Sequence, residues 1–197
     1  GASPSPAPRW VAASLADALS GPGVHVELCA VEDDFISVAE KLKRKSPDLV
    51  INLCESLSAD SRGEMAVACL LELLGLPFTG SAGLSLGLAL HKNKAKEILK
   101  ARGVQTPEFQ VIESVNDLRS VRLDFPLILK PTREDASVGI DFNSVVHDRP
   151  SLHRAALNGL KTFRQPMLVE RYIAGREIYV PILGNRPRLA LPLSEIK

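Results

Sequence analysis

Aromatic residues are scarce: Phe, Trp and Tyr make up 5% of the 197 residues. Single-stranded nucleic acid is held largely by bases stacked on aromatic rings, so such a platform is hard to assemble here. Charge of one sign is lacking as well. The formal net charge is +1, with 24 basic residues scattered among 23 acidic ones, and no basic stripe marks a nucleic-acid groove. No uninterrupted apolar run approaches the roughly 20 residues that cross a bilayer. The first residues also lack the basic and apolar regions of a secretory signal. These absences argue against nucleic acid and membrane as partners and make a cytoplasmic protein the expectation. Cysteine is limited to Cys29, Cys54 and Cys69, an odd and widely spaced set, each inside an apolar segment. That pattern favours buried core thiols in a reducing compartment over disulfides or a zinc site.

What is present is an ordinary globular balance, 45% hydrophobic and 24% charged, in a length that suits one large domain or two small ones. Residues 1–9 open with a small, Pro-rich stretch and read as a disordered leader. Residues 10–19 have apolar side chains at helical spacing and stop at Ser20-Gly21-Pro22-Gly23, a turn. Residues 24–31 alternate as a strand. Residues 35–45 form an amphipathic pattern with Ile36, Ala39 and Leu42 on one face. The run DLVINL at 48–53 is β-branched and apolar, as in a buried parallel strand. A polar loop at 54–62 leads to a helix over 63–74, stopped by Gly75 with Pro77 just beyond. Helix alternating with strand predicts an α/β domain over residues 10–90. Its opening strand is expected to precede the residues given.

The second region, 91–197, mixes helices with strands that have the look of antiparallel pairing. A helix is predicted over 92–102, closed by Gly103, with Thr106-Pro107 starting an extended segment that ends at Ile112. Strands are predicted over 125–130, 140–146 and 167–173, with a polar loop at 131–138 and a helix over 151–160. Residues 177–183 and 188–193 flank Gly184-Asn185 and read as a hairpin. There is no internal repeat.

Two segments carry chemistry. In the first, Lys130 ends the apolar strand FPLILK and is followed by a loop containing Ala136, Ser137 and Gly139. A lysine at a strand end is rigid and partly desolvated, and small loop residues let amide N–H groups reach phosphate oxygens. The Walker spacing is absent, and a surface turn is the plain alternative. In the second, Glu170 precedes Tyr172 and Ile173 on a strand, and Glu177 follows the Gly175 turn. Such a segment offers backbone groups and a carboxylate to a purine edge, and a second carboxylate to sugar hydroxyls. Pairing of both glutamates with neighbouring arginines is the alternative.

Five segments in order resemble one family, the D-alanine–D-alanine ligases of the ATP-grasp superfamily. The run LELLGLPFTGS at 71–81 resembles its E-x-x-G-[IL]-P-[FY]-T-G-S signature. His91-Lys92-x-x-x-Lys96 is similar to its D-K-x-x-x-K helix, and Gly103-Val104-Gln105-Thr106-Pro107 to its G-[VL]-P-[TV]-P segment. Residues 130–139 resemble K-P-[SA]-R-E-G-S-S-V-G, and residues 170–177 match E-x-[WFY]-[IVL]-x-G-x-E. The resemblance implies a Rossmann-like N-terminal domain followed by an α+β ATP-grasp domain that is incomplete here. Its lid would occupy about residues 107–175, and its C-terminal lobe is expected to lie beyond Lys197. It also implies that Lys92 and Lys130 contact ATP phosphates. The loop formed by Glu134, Ser137, Val138 and Gly139 would be a lid, with Ser137 near the transferred phosphate. Glu170, Arg171 and Ile173 would read adenine, and Glu177 would bind ribose.

The activity implied is joining a carboxylate to an amine through an acyl phosphate, with ATP and Mg²⁺, on small amino-acid substrates. A homodimer is left open. The Mg²⁺ ligands would lie beyond Lys197, so the chain by itself is expected to be inactive, and no metal ligand is assigned within it. Departures bear on the substrate. His91 stands for the usual Asp, with a solvent-facing or capping role as its plain reading, and Asp135 for a glycine. Asn52-Leu53-Cys54-Glu55-Ser56 replaces an A-L-H-G-type segment. Glu55 and Glu64 are either substrate contacts or charge partners of a helix N-terminus. The alternatives kept open are a ligase for another amino acid or peptide and a nucleotide-binding module without catalysis.

Overall fold

Residues 9–31, 34–57, 60–134 and 144–195 are described by a computed structural model. Helices α1 (Arg9–Leu19), α2 (Phe35–Lys45) and α3 (Arg62–Leu73) fall where apolar periodicity places them. Asp34 caps α2 by accepting hydrogen bonds from the amides of Ile36 and Ser37, satisfying N–H groups that have no partner inside the helix. Beyond α3, Gly75 takes φ +66°. The Leu76 and Gly75 amides donate to the carbonyls of Leu71 and Glu72, a glycine-terminated helix end.

Two predicted strands do not form. Residues 24–31 are mostly exposed and contribute one bridge, from Gly21 to Val24, which closes the preceding turn. Alternation alone does not make a strand when no neighbour completes the ladder. In the run 48–53 only Val50 pairs, through a parallel bridge to Phe78. Its amide donates to the Pro77 carbonyl at 2.8 Å and its carbonyl accepts from Thr79 at 3.0 Å, while Leu49 and Ile51 are exposed.

A further helix, α4 (Gly83–Leu90), not expected from the sequence, packs on α3. Its glycines make the approach possible. A Cβ on Gly83 would lie 2.3 Å from Cys69 Sγ, and one on Gly87 2.4 Å from Met65 Sδ. Cys29, Cys54 and Cys69 are free, as expected, but half-buried rather than buried in a core. Burial pushes the Cys54 thiol above its ordinary range.

Helix α5 (Lys92–Ala101) leads to β1 (Phe109–Ile112), a 3-10 helix (Val115–Ser120) and β2 (Leu127–Pro131). Then follow β3 (Val145–Val146), α6 (Arg149–Phe163) and β4 (Met167–Arg171). Of the strand predicted at 140–146, residues 140–143 lie outside the described residues. The sheet order is β1-β4-β2-β3, antiparallel throughout. Along β2, Leu127, Leu129 and Pro131 are buried while Ile128 and Lys130 face the opposite side, the two-residue alternation of a strand. The buried face packs against Leu152 and Ala156 of α6, forming the main core with Val146 and Val169. Burying each such aliphatic side chain contributes about 1.5–3 kcal/mol for Val or Leu. The hairpin predicted around Gly184-Asn185 is present as β6 (Ile182–Leu183) paired with β7 (Leu189–Ala190). Outside it, β5 (Ile178–Tyr179) pairs with β8 (Ser194–Glu195).

Candidate functional site

The face of the sheet turned away from α6 carries the charged residues. Antiparallel register sets Ile128 opposite Glu170, and Glu170 opposite Phe109. Directly opposed residues share a face, so the Glu170 side chain rises between Phe109 and the β2 side chains. Lys130 lies one diagonal step away and reaches it: Nζ donates to Glu170 Oε1 at 2.8 Å. From α5, Lys96 Nζ meets the other oxygen, Oε2, at 2.5 Å. One carboxylate thus holds two ammonium groups, one on each oxygen.

The two lysines differ in surroundings. The Lys96 side chain is 11% exposed. Its Nζ also donates to Thr106 Oγ1 at 2.5 Å and lies 5.1 Å from the Phe109 ring centroid, within cation–π range. The Lys130 side chain is 24% exposed. Burial works to raise the pKa of the Glu170 carboxyl, but hydrogen bonds from Lys130 and Lys96 outweigh it and hold the group below its ordinary value. Glu170 is therefore a carboxylate at neutral pH.

Lys92 reaches the same end of the sheet. It is one helical turn from Lys96, a spacing that puts both on one face of α5. Its amide donates to the Thr132 carbonyl at 3.0 Å, two residues past Lys130, and its Nζ donates to the Glu134 carbonyl. His91 makes no side-chain bond to α5, whose N-cap it is; its Nδ1 lies 2.9 Å from the Gly87 carbonyl at the end of α4. Gln165 clips the root of the loop after Lys130. Its Nε2 donates to Glu134 Oε1 at 2.8 Å, and its Oε1 accepts from the Arg133 amide at 2.7 Å.

Of the residues implicated from sequence, Lys130 and Glu170 therefore meet on one sheet face, and Lys92 and Glu134 meet just past the end of β2. Ser137, Val138 and Gly139 lie outside the described residues. Arg171, Ile173 and Glu177 continue from β4 towards the hairpin and are exposed. The Arg171 amide donates to the Glu108 carbonyl at 2.9 Å. The alternative of arginine partners is not what Glu170 shows, since its partners are lysines. A nearby arginine, Arg176, pairs with Glu195 instead. Glu64 opens α3 in its first turn, the position that favours a carboxylate near helix amides.

Three contributors had no assigned role: Lys96, Thr106 and Gln165. The spacing of Lys92 and Lys96 already set them on a common face, but the partner of Lys96 lies 74 residues along the chain, beyond any local pattern. Among the described residues, no group of three or more His, Cys, Asp or Glu is placed to hold a metal ion.

Comparison with known proteins agrees with the family resemblance. The family model described as D-ala D-ala ligase C-terminus matches residues 98–197. A D-alanine–D-alanine ligase of Methylorubrum populi is 34% identical over 184 residues, covering 93% of this chain and 56% of the relative. An uncharacterized protein of Sinorhizobium fredii is 33% identical over 207 residues, covering 98% of this chain and 59% of its own length. Among solved structures, a D-alanine–D-alanine ligase of Bacillus anthracis superimposes with a TM-score of 0.72 at 25% identity, over 95% of this chain and 59% of the other. The Bacillus anthracis ligase solved with ATP gives 0.58 at 26% identity, over 81% and 52%. The chain thus spans 56% to 59% of the length of the two curated relatives. With an α/β fold shared with these ligases and a family match over its second half, the chain belongs to the D-alanine–D-alanine ligase-like family of ATP-grasp proteins.

Proposed function

We propose that the chain supplies the nucleotide-holding part of an ATP-dependent carboxylate–amine ligase. The observation that carries this is the cluster of Lys130 and Lys96 on the single carboxylate of Glu170, with the Lys92 amide bonded to Thr132, two residues past Lys130. Two ammonium groups against one carboxylate leave one positive charge in excess, in a partly desolvated place where it attracts an anion more strongly than in water. A polyphosphate is the anion that fits, because Lys130 and Lys92 are point-charge donors as lysine usually is towards phosphate. Arg171 and Ile173 would line the adenine side through the strand continuing from β4, the Glu170 carboxylate being held by Lys96 and Lys130, and Glu177 would take the ribose. Ser137, Val138, Gly139 and Glu134 would belong to the loop over the phosphates, with Ser137 nearest the one transferred.

In the reaction proposed, a substrate carboxylate oxygen attacks the γ-phosphorus of ATP, the bond to ADP breaks, and an acyl phosphate forms. An amine then attacks the acyl carbon, phosphate leaves, and an amide remains. The protein's part is mostly to position the groups and neutralise charge. D-alanine is the substrate that the family suggests. Asn52-Leu53-Cys54-Glu55-Ser56 favours a second reading, a different amino acid or peptide. That segment is fixed in place: Asn52 donates its amide to Thr79 Oγ1 at 3.1 Å and accepts the Cys54 amide on Oδ1 at 3.1 Å.

The residues that the resemblance assigns to Mg²⁺ have no counterpart motif within 1–197, so the 197-residue chain is expected to bind ATP weakly and to catalyse nothing alone. The test titrates the chain with ATP and with adenosine, then screens a ligase-length protein containing this sequence for dipeptide formation across a panel of amino acids. ATP binding above adenosine, with phosphate released alongside an amide product, is the expected result. Equal binding of ATP and adenosine removes the phosphate reading. Turnover by the 197-residue chain alone removes the proposed inactivity, and nucleotide binding without product from the longer protein favours a module that lacks catalysis.

A further inference from the structure

The cluster contains one lysine, Lys96, that the nucleotide reading places on no phosphate. Lys96 is the more enclosed of the two, and its Nζ spends itself inside the protein on Glu170 Oε2, Thr106 Oγ1 and the Phe109 ring. An ammonium has three N–H donors, so little donor capacity is left for a ligand. Lys130 is twice as exposed, and Glu170 is the partner it shows among the described residues. Lys96 therefore stays where it is, and Lys130 has capacity to spare.

We propose, resting on the nucleotide reading above, that Lys96 is a positioning residue: it is the fixed counter-ion of Glu170, which leaves the Lys130 ammonium available to a nucleotide phosphate. Without Lys96, Glu170 and Lys130 form a neutral pair. A phosphate arriving at Lys130 then faces a buried carboxylate with no other partner, and like charges in a poorly solvated place repel. With Lys96 present, Glu170 keeps one ammonium whatever Lys130 does. Glu170 is then a holder of lysines, and phosphate affinity follows the net charge of the trio. Four parts of the chain build this arrangement. Lys96 comes from α5, Thr106 from the segment just after it, and Glu170 from β4, with Phe109 of β1 as the floor.

The net charge of the trio separates the variants. It is +1 in the natural protein, zero in Lys96→Met, and +1 again in the double variant Lys96→Met with Glu170→Gln. ATP and adenosine are titrated against each folded chain by calorimetry, alongside Lys130→Ala. Lys96→Met is expected to weaken ATP about tenfold, because unit charges several ångströms apart interact by at least that factor at a protein's effective dielectric. Adenosine, which carries no phosphate, should stay within about twofold, and the double variant should return ATP to within about threefold of the natural chain, by the same charge argument. A general loosening of the fold would weaken both ligands and would not be reversed by a second substitution in the same cluster.

The proposal is overturned if Lys96→Met binds ATP like the natural chain while Lys130→Ala does not. It is also overturned if ATP and adenosine fall together, or if the double variant stays as weak as Lys96→Met. Should Lys96→Met not fold, the double variant decides alone: ATP affinity near that of the natural chain supports the charge account, and a loss of about tenfold or more overturns it. If the natural chain and Lys130→Ala bind ATP no better than adenosine, the nucleotide reading itself has failed, an outcome distinct from these.

Discussion

Replacing Glu170 with alanine exposes how much of the fold rests on one carboxylate. The Glu170 side chain is 8% exposed and touches Lys130 at 2.8 Å and Lys96 at 2.5 Å. Removing one member of a buried ion pair leaves an uncompensated charge and costs about 3–5 kcal/mol. The two orphans respond differently. Lys130, with a side chain 24% exposed, can turn its ammonium to water along its flexible stem. Lys96 cannot, since its side chain is 11% exposed and enclosed by Thr106 and Phe109. One trapped charge rather than two puts the loss near the lower end, about 3 kcal/mol. For a chain of this size that lowers Tm by roughly 6–12 °C.

Acid should erase the difference. The folded pKa of Glu170 lies below its ordinary value of 4.5, so its stabilisation is fully present above that range. It is lost as pH falls through the folded value, where the natural protein also becomes an uncharged acid beside two ammonium groups. Urea unfolding of the natural chain and Glu170→Ala at a series of pH values reads both effects. A loss under about 1 kcal/mol at pH 7, the size of an exposed pair, would refute the burial argument. So would a gap that remains once the pH has fallen through the folded value of Glu170.

Leu152→Ala should cost about 2–5 kcal/mol in urea unfolding, because Leu152 is 1% exposed and packed on the sheet's core face. Gly63→Ala and Gly159→Ala should differ although both glycines are helical. The new Cβ at position 63 would lie 2.4 Å from Leu57 Cβ and 2.5 Å from the Leu57 backbone nitrogen, which cannot step aside. A cost of about 1–3 kcal/mol follows for Gly63→Ala. At position 159 the nearest atom is the Met167 terminal methyl at 2.6 Å, which can rotate away. The helix preference for alanine, up to about 1 kcal/mol, then offsets most of the crowding. Equal losses at the two glycines would contradict this reading.

What the sequence made legible follows from the range of the interactions. Strands β2 and β4 announce themselves in LILKP and MLVER, short runs rich in Val, Ile and Leu. Helix α6 has the capping residue Asp148 and a proline in its first turn, both local signals. Helix α4 was hidden because Gly83 and Gly87 weaken its propensity, and only the close approach of Met65 and Cys69 shows why they are there. Residues 24–31 and 48–53 have strand-like patterns, yet a strand exists through its neighbours, and apart from Val50 with Phe78 these have almost none. At the site, motif spacing singled out Lys92, Lys130 and Glu170. It could not show that Lys96 and Lys130 divide the two oxygens of Glu170, because that contact is made by folding rather than by spacing.

The most direct measurement of the central claim is ATP affinity in Lys130→Ala and Lys92→Ala beside the natural chain, with adenosine as control. Removing a charge-assisted contact to phosphate costs about 1.5–3 kcal/mol, so each variant should bind ATP roughly 10- to 150-fold more weakly, with adenosine unchanged. Undiminished ATP affinity in folded Lys130→Ala would contradict the account.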